Sequence, residues 1–199
     1  MTIAWVFPGQ GSQKIGMADS VINLPGAKGR FEEASDLLGR DLLAICQGNS
    51  SEDKKLADIN DTRNTQPAMF VVESLLVDDL LRQGRKPSLL AGHSLGEIVA
   101  LYAASVFDVQ TALCLLKLRS ELMSAAGGGA MTAVIGFDRL LLEQLVASTQ
   151  GVVVANDNSS SQVVLSGAPE AVKEVVLKLS CKRSIPLRVS GAFHSPFMQ

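Results

Sequence analysis

The feature that most constrains the fold is a Gly-x-Ser-x-Gly turn wedged between two apolar segments. Residues 88–91 (Ser-Leu-Leu-Ala) read as a short strand. Gly92-His93-Ser94-Leu95-Gly96 follows, and Glu97 opens a helical stretch carrying Ile98, Val99, Leu101 and Tyr102. A serine on a sharp strand-to-helix turn needs small residues two positions either side, because a Cβ there strikes the backbone as it doubles back. Such a turn presents the hydroxyl at the carboxyl end of a strand and at the start of a helix, whose dipole favours negative charge. The unit points to an α/β architecture with Ser94 as candidate nucleophile. An ordinary tight turn is the competing reading of the same five residues.

The segments around this unit divide into two patterns. The chain opens with a strand over residues 3–7, followed by the glycine loop Pro8-Gly9-Gln10-Gly11-Ser12-Gln13. That loop is not a dinucleotide fingerprint, because Lys14 stands where the third glycine belongs, and no Gly-Lys-Ser/Thr follows to make a Walker loop. Residues 30–46 read as one helix or two, and 47–65 as a polar loop with a short helix. A helix is expected from Pro67, in the favoured first turn, to Gln83 before Gly84. Asp108 is placed to cap the next helix. Beyond Gly127-Gly128-Gly129 the pattern changes. Strands are expected at 130–136, 152–155, 162–165 and 185–189, and helices at 139–148 and 170–179. That β-α-β-β-α-β order is the ferredoxin-like arrangement. The expected fold is therefore a parallel-sheet α/β core formed by residues 1–127 and 191–199, with a ferredoxin-like small domain at 128–190.

Composition narrows the function. Nearly half of the 199 residues are apolar (47%), enough for a substantial core. The 18 basic and 20 acidic side chains leave a net charge of −2, with no basic patch to suggest nucleic acid or an anionic membrane as partner. No apolar run reaches membrane-spanning length. Cys46, Cys114 and Cys181 form no CxxC pair and read as reduced thiols, which with the absence of a leader-like segment points to the cytoplasm. Cys, His, Asp and Glu show no metal-ligand spacing.

A serine nucleophile needs a base and donors for an oxyanion. The chain has two histidines. His93 adjoins Ser94 on the sharp turn, which directs its side chain elsewhere. This leaves His194, in Ala192-Phe193-His194-Ser195-Pro196, with a surface or core histidine as the alternative. The Leu95 N–H is the expected first oxyanion donor, and the glycine loop after the first strand is the candidate source of the second. Arg119 on the following helix acquires a role if the substrate carries a carboxylate, which a guanidinium grips with two parallel hydrogen bonds.

Taken together, Phe7 through Gln13, Thr65-Gln66-Pro67-Ala68, Gly92 through Glu97, Leu118-Arg119, Gly129-Ala130-Met131, Asn158, Gln162-Val163-Val164 and Phe193-His194-Ser195 resemble the malonyl-CoA:acyl-carrier-protein transacylase family over nearly the whole chain. The resemblance implies an α/β-hydrolase-like core with a ferredoxin-like insertion. It implies that Ser94 is acylated with His194 as base, and that Gln13 and Leu95 supply oxyanion N–H groups. Arg119 would bind the malonyl carboxylate, Gln66 would lie near the acyl pocket, Asn158 would face the cleft, and Phe193 would favour malonyl over branched acyl units. The implied reaction passes malonyl from malonyl-CoA through Ser94 to the phosphopantetheine thiol of acyl carrier protein in fatty acid biosynthesis. The CoA thioester is then a substrate, with no cofactor. A polyketide-type acyltransferase, a serine hydrolase and a non-catalytic carrier-protein-binding module are the alternatives. Ser120 stands where relatives usually have glycine. The chain ends five residues after His194, whereas relatives continue with a stretch expected to complete the large domain and orient the histidine.

Overall fold

A computed structural model describes residues 2–189 and 191–199. It is mixed α/β, with one parallel and one antiparallel sheet, and it divides into two compact units, Met1–Glu121 and Leu122–Gln199. The division at 121/122 precedes the expected start of the small domain at 128 and groups 191–199 with the second unit. Ser190, at the end of the expected small domain, lies outside the described residues.

In the first unit, β1 (Ala4–Phe7) pairs in parallel with β2 (Leu89–Gly92), from Ala4 opposite Leu89 to Phe7 opposite Gly92. Parallel neighbours need a long crossover. Here it contains α1 (Ala27–Leu38), α2 (Leu42–Gln47) and α3 (Thr62–Arg82), while α4 (Leu95–Ala103) and α5 (Val109–Ala125) follow β2. Residues 30–46 thus resolve into two helices, separated by Gly39 in the left-handed region, whereas the described residues 48–61 carry no helix and the short one expected within 47–65 is absent apart from the start of α3. The Asp108 side chain accepts from the Thr111 N–H at 2.8 Å at the head of α5, as its position in the sequence suggested. Phe31, Phe70, Leu42, Ile45, Leu75, Leu95, Leu113 and Leu116 are completely buried and form one continuous core with their neighbours. Each contributes roughly 1.5–3 kcal/mol relative to exposure. The other face of the strand pair is open: Val6 is 72% and Leu89 63% exposed.

Helix α3 begins five residues before the expected start at Pro67. Asp61 is its N-cap, accepting from the Arg63 N–H at 2.9 Å. The first turn lacks an apolar stripe because its inward face is polar: Thr62, Asn64, Thr65 and Gln66 are all buried. Pro67 therefore sits inside the helix and has no N–H for the Arg63 carbonyl four residues back. That carbonyl instead accepts from Arg40 Nη2 at 2.9 Å, and Arg40 Nε also donates to Asn64 Oδ1 at 2.6 Å. A side chain from outside the helix thus supplies the hydrogen bond that proline removes.

In the second unit, β3 (Ala130–Phe137), β4 (Val152–Ser159), β5 (Gln162–Gly167) and β6 (Cys181–Pro186) form an antiparallel sheet in the order β4-β5-β3-β6. Helices α6 (Arg139–Ser148) and α7 (Pro169–Lys178) complete the ferredoxin-like order. Side chains alternate across the strands. Val134, Val163 and Leu165 pack with Leu142, Val172 and Val175 of the helices, whereas Met131, Ala133 and Val164 turn to the opposite face with Met123 and Phe193. Two strands differ from expectation. β6 begins at Cys181 rather than 185 and ends at Pro186. It takes in Lys182 and Arg183, which lie before the expected start, because an edge strand with an exposed side accepts charge. β4 runs on through Asn156-Asp157-Asn158-Ser159, beyond its expected end at 155. It does so with two irregularities, the register passing from Val154 to Asn156 and from Asp157 to Ser159. Among the described residues no helix is long and apolar enough to cross a membrane.

Candidate active site

In the first unit the site begins at the sheet edge where β1 and β2 both end. The His93 N–H donates to the Phe7 carbonyl at 2.9 Å, so the loop leaving β1 and the turn leaving β2 start side by side. Gly92 and Gly96 are required by close approach. A Cβ on Gly92 would collide with the Gly96 carbonyl and the Glu97 nitrogen, and one on Gly96 with the Phe7 and Pro8 carbonyl oxygens. Between them Ser94 adopts φ 55°, ψ −108°, a conformation that side-chain-bearing residues seldom occupy. Backbone strain of this kind persists where the surroundings over-determine it. Leu95 opens α4, so its N–H has no carbonyl within the helix to meet.

The half-buried Arg119 side chain, from α5, reaches this turn. Nη2 donates to Ser94 Oγ at 3.0 Å, and Nη1 donates to the Oε1 of Gln66, which is completely buried on α3. The Gln66 amide in turn donates through Nε2 to Thr62 Oγ1 at 2.8 Å, and the Thr62 hydroxyl donates to Gln10 Oε1 at 2.9 Å. Burial pulls the Arg119 guanidinium below the ordinary arginine value, with Glu97 opposing the shift. A guanidinium nevertheless remains protonated across the working range. The serine hydroxyl therefore lies against a permanent, partly dry positive charge.

The structure thus brings together Ser94, Arg119 and Gln66 and adds Gln10 and Thr62, which the sequence reading did not single out. The available clue was the Thr62/Gln66 spacing, which puts two polar residues on one helix face. Nothing along the chain pairs Thr62 with Gln10, 52 positions away. Gln13, in the same loop, turns its side chain elsewhere: Oε1 accepts from the Gly11 N–H at 2.7 Å and Nε2 donates to Asn60 Oδ1 at 3.0 Å. His93 is exposed.

The remaining candidates lie in the second unit. Asn158 is exposed on β4 at the second irregularity, between Asp157 opposite Val163 and Ser159 opposite Gln162. A bulge of this kind re-aims a side chain out of the regular alternation. Phe193 is 5% exposed and packs with Met123, Met131, Ala133 and Val164. His194 is exposed, with φ 55°. The turn around it is pinned by Ser195, whose hydroxyl donates to the Ala192 carbonyl at 2.6 Å and accepts from the Phe197 N–H at 3.3 Å.

Comparison with known proteins gives a consistent set of matches. The family model described as acyl transferase domain matches residues 4–199. A malonyl CoA-acyl carrier protein transacylase from Synechocystis sp. is 46% identical over 198 residues, covering 100% of this chain and 66% of the relative. The crystal structure of a Synechocystis malonyl-CoA:ACP transacylase superimposes with a TM-score of 0.92 at 45% identity, covering 100% of this chain and 66% of that one. A malonyl-transacylase solved in complex with its type II PKS acyl-carrier protein gives 0.86 at 38% identity, with coverage of 100% and 66%. The chain spans about two thirds of the length of these relatives.

Proposed function

This chain belongs to the acyl transferase domain family, among its malonyl-CoA:acyl-carrier-protein transacylases, and we propose that it transfers malonyl from malonyl-CoA to the phosphopantetheine thiol of an acyl carrier protein through an ester on Ser94. The observation that carries this reading is the Arg119 guanidinium 3.0 Å from the hydroxyl of a serine held at positive φ. A cation beside a nucleophile suits an acyl group that ends in a carboxylate.

In the first half-reaction Ser94 Oγ bonds to the thioester carbonyl carbon, and its proton passes to His194 as general base. The developing oxyanion is stabilised by the main-chain N–H groups of Leu95 and Gln13. The C–S bond then breaks, and the departing CoA sulfur takes the proton from His194. The second half-reaction runs the same steps with the carrier-protein thiol attacking the ester. Through both, Arg119 holds the malonyl carboxylate and Gln66 holds Arg119. Asn158 and Phe193 are assigned to binding and to the choice of acyl group. His194, Gln13, Asn158 and Phe193 take these roles from the family resemblance. The fatty-acid setting is taken from the family resemblance, and the three cysteines, none of them in a CxxC pair, support a cytoplasmic one. A polyketide setting is the second reading, favoured by the likeness to a transacylase bound to a type II PKS carrier protein. Its chemistry is the same.

Intact-protein mass spectrometry after mixing with malonyl-CoA tests the proposal. A malonyl adduct is expected on the wild-type chain and not on Ser94→Ala. An adduct on both, or none on a folded wild-type chain, would overturn it.

A further inference from the structure

We infer that Thr62 is a positioning residue: its hydroxyl fixes which way the Gln66 amide faces and thereby aims the Arg119 guanidinium at the acyl site. The inference deepens the malonyl-transfer reading above and rests on it for its functional consequence.

The argument is one of hydrogen-bond direction. A hydroxyl has one proton to give. Gln10 Oε1 can only accept, so the Thr62 proton is committed to it at 2.9 Å. The Thr62 oxygen then faces Gln66 as an acceptor, and the Gln66 group 2.8 Å away must be its NH2. The other end of the same amide is therefore its carbonyl oxygen, the end that Arg119 requires, since a guanidinium has only donors. Inverting the Gln66 amide would set its NH2 against the guanidinium and its carbonyl against a Thr62 oxygen whose proton is already given to Gln10. Thr62 is 7% exposed and Gln66 fully buried, so water is poorly placed to substitute. The array joins the loop after β1, the first turn of α3, α5 and the serine turn, all within the first unit. The Thr62 hydroxyl is its link to the loop, and its hydrogen bonds go to Gln10 and Gln66 rather than to Ser94.

Thr62→Val keeps the shape and removes the hydroxyl, while Thr62→Ser keeps the hydroxyl. Two readouts separate the inference from the function on which it rests. The first is the side-chain NMR signals of the Gln66 amide and the Arg119 guanidinium in the unloaded chain. Both should shift in Thr62→Val and return towards wild type in Thr62→Ser. Unmoved signals in a folded Thr62→Val chain overturn the inference, whether or not the chain loads malonyl. The second is competitive loading from malonyl-CoA and acetyl-CoA. The malonyl preference should fall about tenfold in Thr62→Val, corresponding to ~1.4 kcal/mol, and recover in Thr62→Ser, because a misaimed Arg119 loses the carboxylate and not the thioester. An equal loss for both acyl groups, or failure of serine to rescue, overturns it. A wild-type chain that loads no acyl group refutes the transfer reading and leaves the NMR result to decide the role of Thr62.

Discussion

The two units hold their candidate residues in opposite ways. In the first, Thr62, Gln66 and the core face of α3 are buried, and the serine sits on a turn whose flanking glycines are packed against carbonyl groups. In the second, Asn158 is exposed at an irregularity of β4, His194 is exposed in the segment after the last strand, and Phe193 belongs to a buried cluster. The first arrangement makes the chemistry inseparable from the packing. The second keeps Asn158 and His194 outside the core and only Phe193 within it. The comparison teaches that substitutions near the serine should act on folding and function together, whereas those around the second unit's sheet should separate the two.

The largest expected effect tests the glycines. Gly96→Ala should lower the unfolding free energy by roughly 3 kcal/mol or more, because the clash is with backbone carbonyls that have no rotamer to move into. Gly127→Ala in the second unit meets open space and should stay within about 0.5 kcal/mol. Urea unfolding of both variants reads the contrast, and equal effects would break it.

Next comes Glu73 on α3. It is 9% exposed, neither carboxylate oxygen has a hydrogen-bond partner among the described residues, and burial pushes its pKa up to about 8 from an ordinary 4.5. Below 4.5 the group is neutral folded and unfolded. Between 4.5 and about 8 the unfolded chain releases a proton that the folded chain keeps, so stability falls as pH rises, at up to about 1.4 kcal/mol per pH unit. Above about 8 the dependence on this group ends. Glu73→Gln should remove that slope, as read by thermal melts across this range. An unchanged profile would show that the first unit's interior is wetter than its packing indicates.

The smallest effect sharpens the comparison most. Asp61 caps α3 and Asp138 caps α6, each accepting from a backbone N–H at 2.9 Å. Either aspartate changed to alanine should cost about 1 kcal/mol. Only Asp61→Ala disturbs the turn that carries Thr62 and Gln66, so it alone should also slow malonyl loading. Equal loading by the two variants would contradict the coupling of fold and site claimed for the first unit.

What the sequence disclosed follows the same division. The serine turn was legible because two-sided close approach leaves glycine little alternative, and the ferredoxin-like order because period-two alternation survives on both faces of a sheet. The true start of α3 was hidden because its first turn buries threonine, asparagine and glutamine, where periodicity looks for apolar residues. The early start of β6 was hidden by Lys182 and Arg183, whose charge an edge strand tolerates, and the length of β4 by turn-forming residues absorbed into irregular pairing. The reach of the Thr62 hydroxyl to Gln10 was invisible because it depends on how the loop after β1 meets the head of α3.

The backbone at Ser94 also restricts which alcohol can serve there. At φ 55°, ψ −108° a branched Cβ would press a second substituent against the turn. Threonine bears the same functional group, yet the stereochemistry of the position disfavours it. Cysteine, unbranched like serine, meets the same backbone without that penalty. The main chain thus selects for the branching of the side chain, and the choice between oxygen and sulfur falls to the reaction.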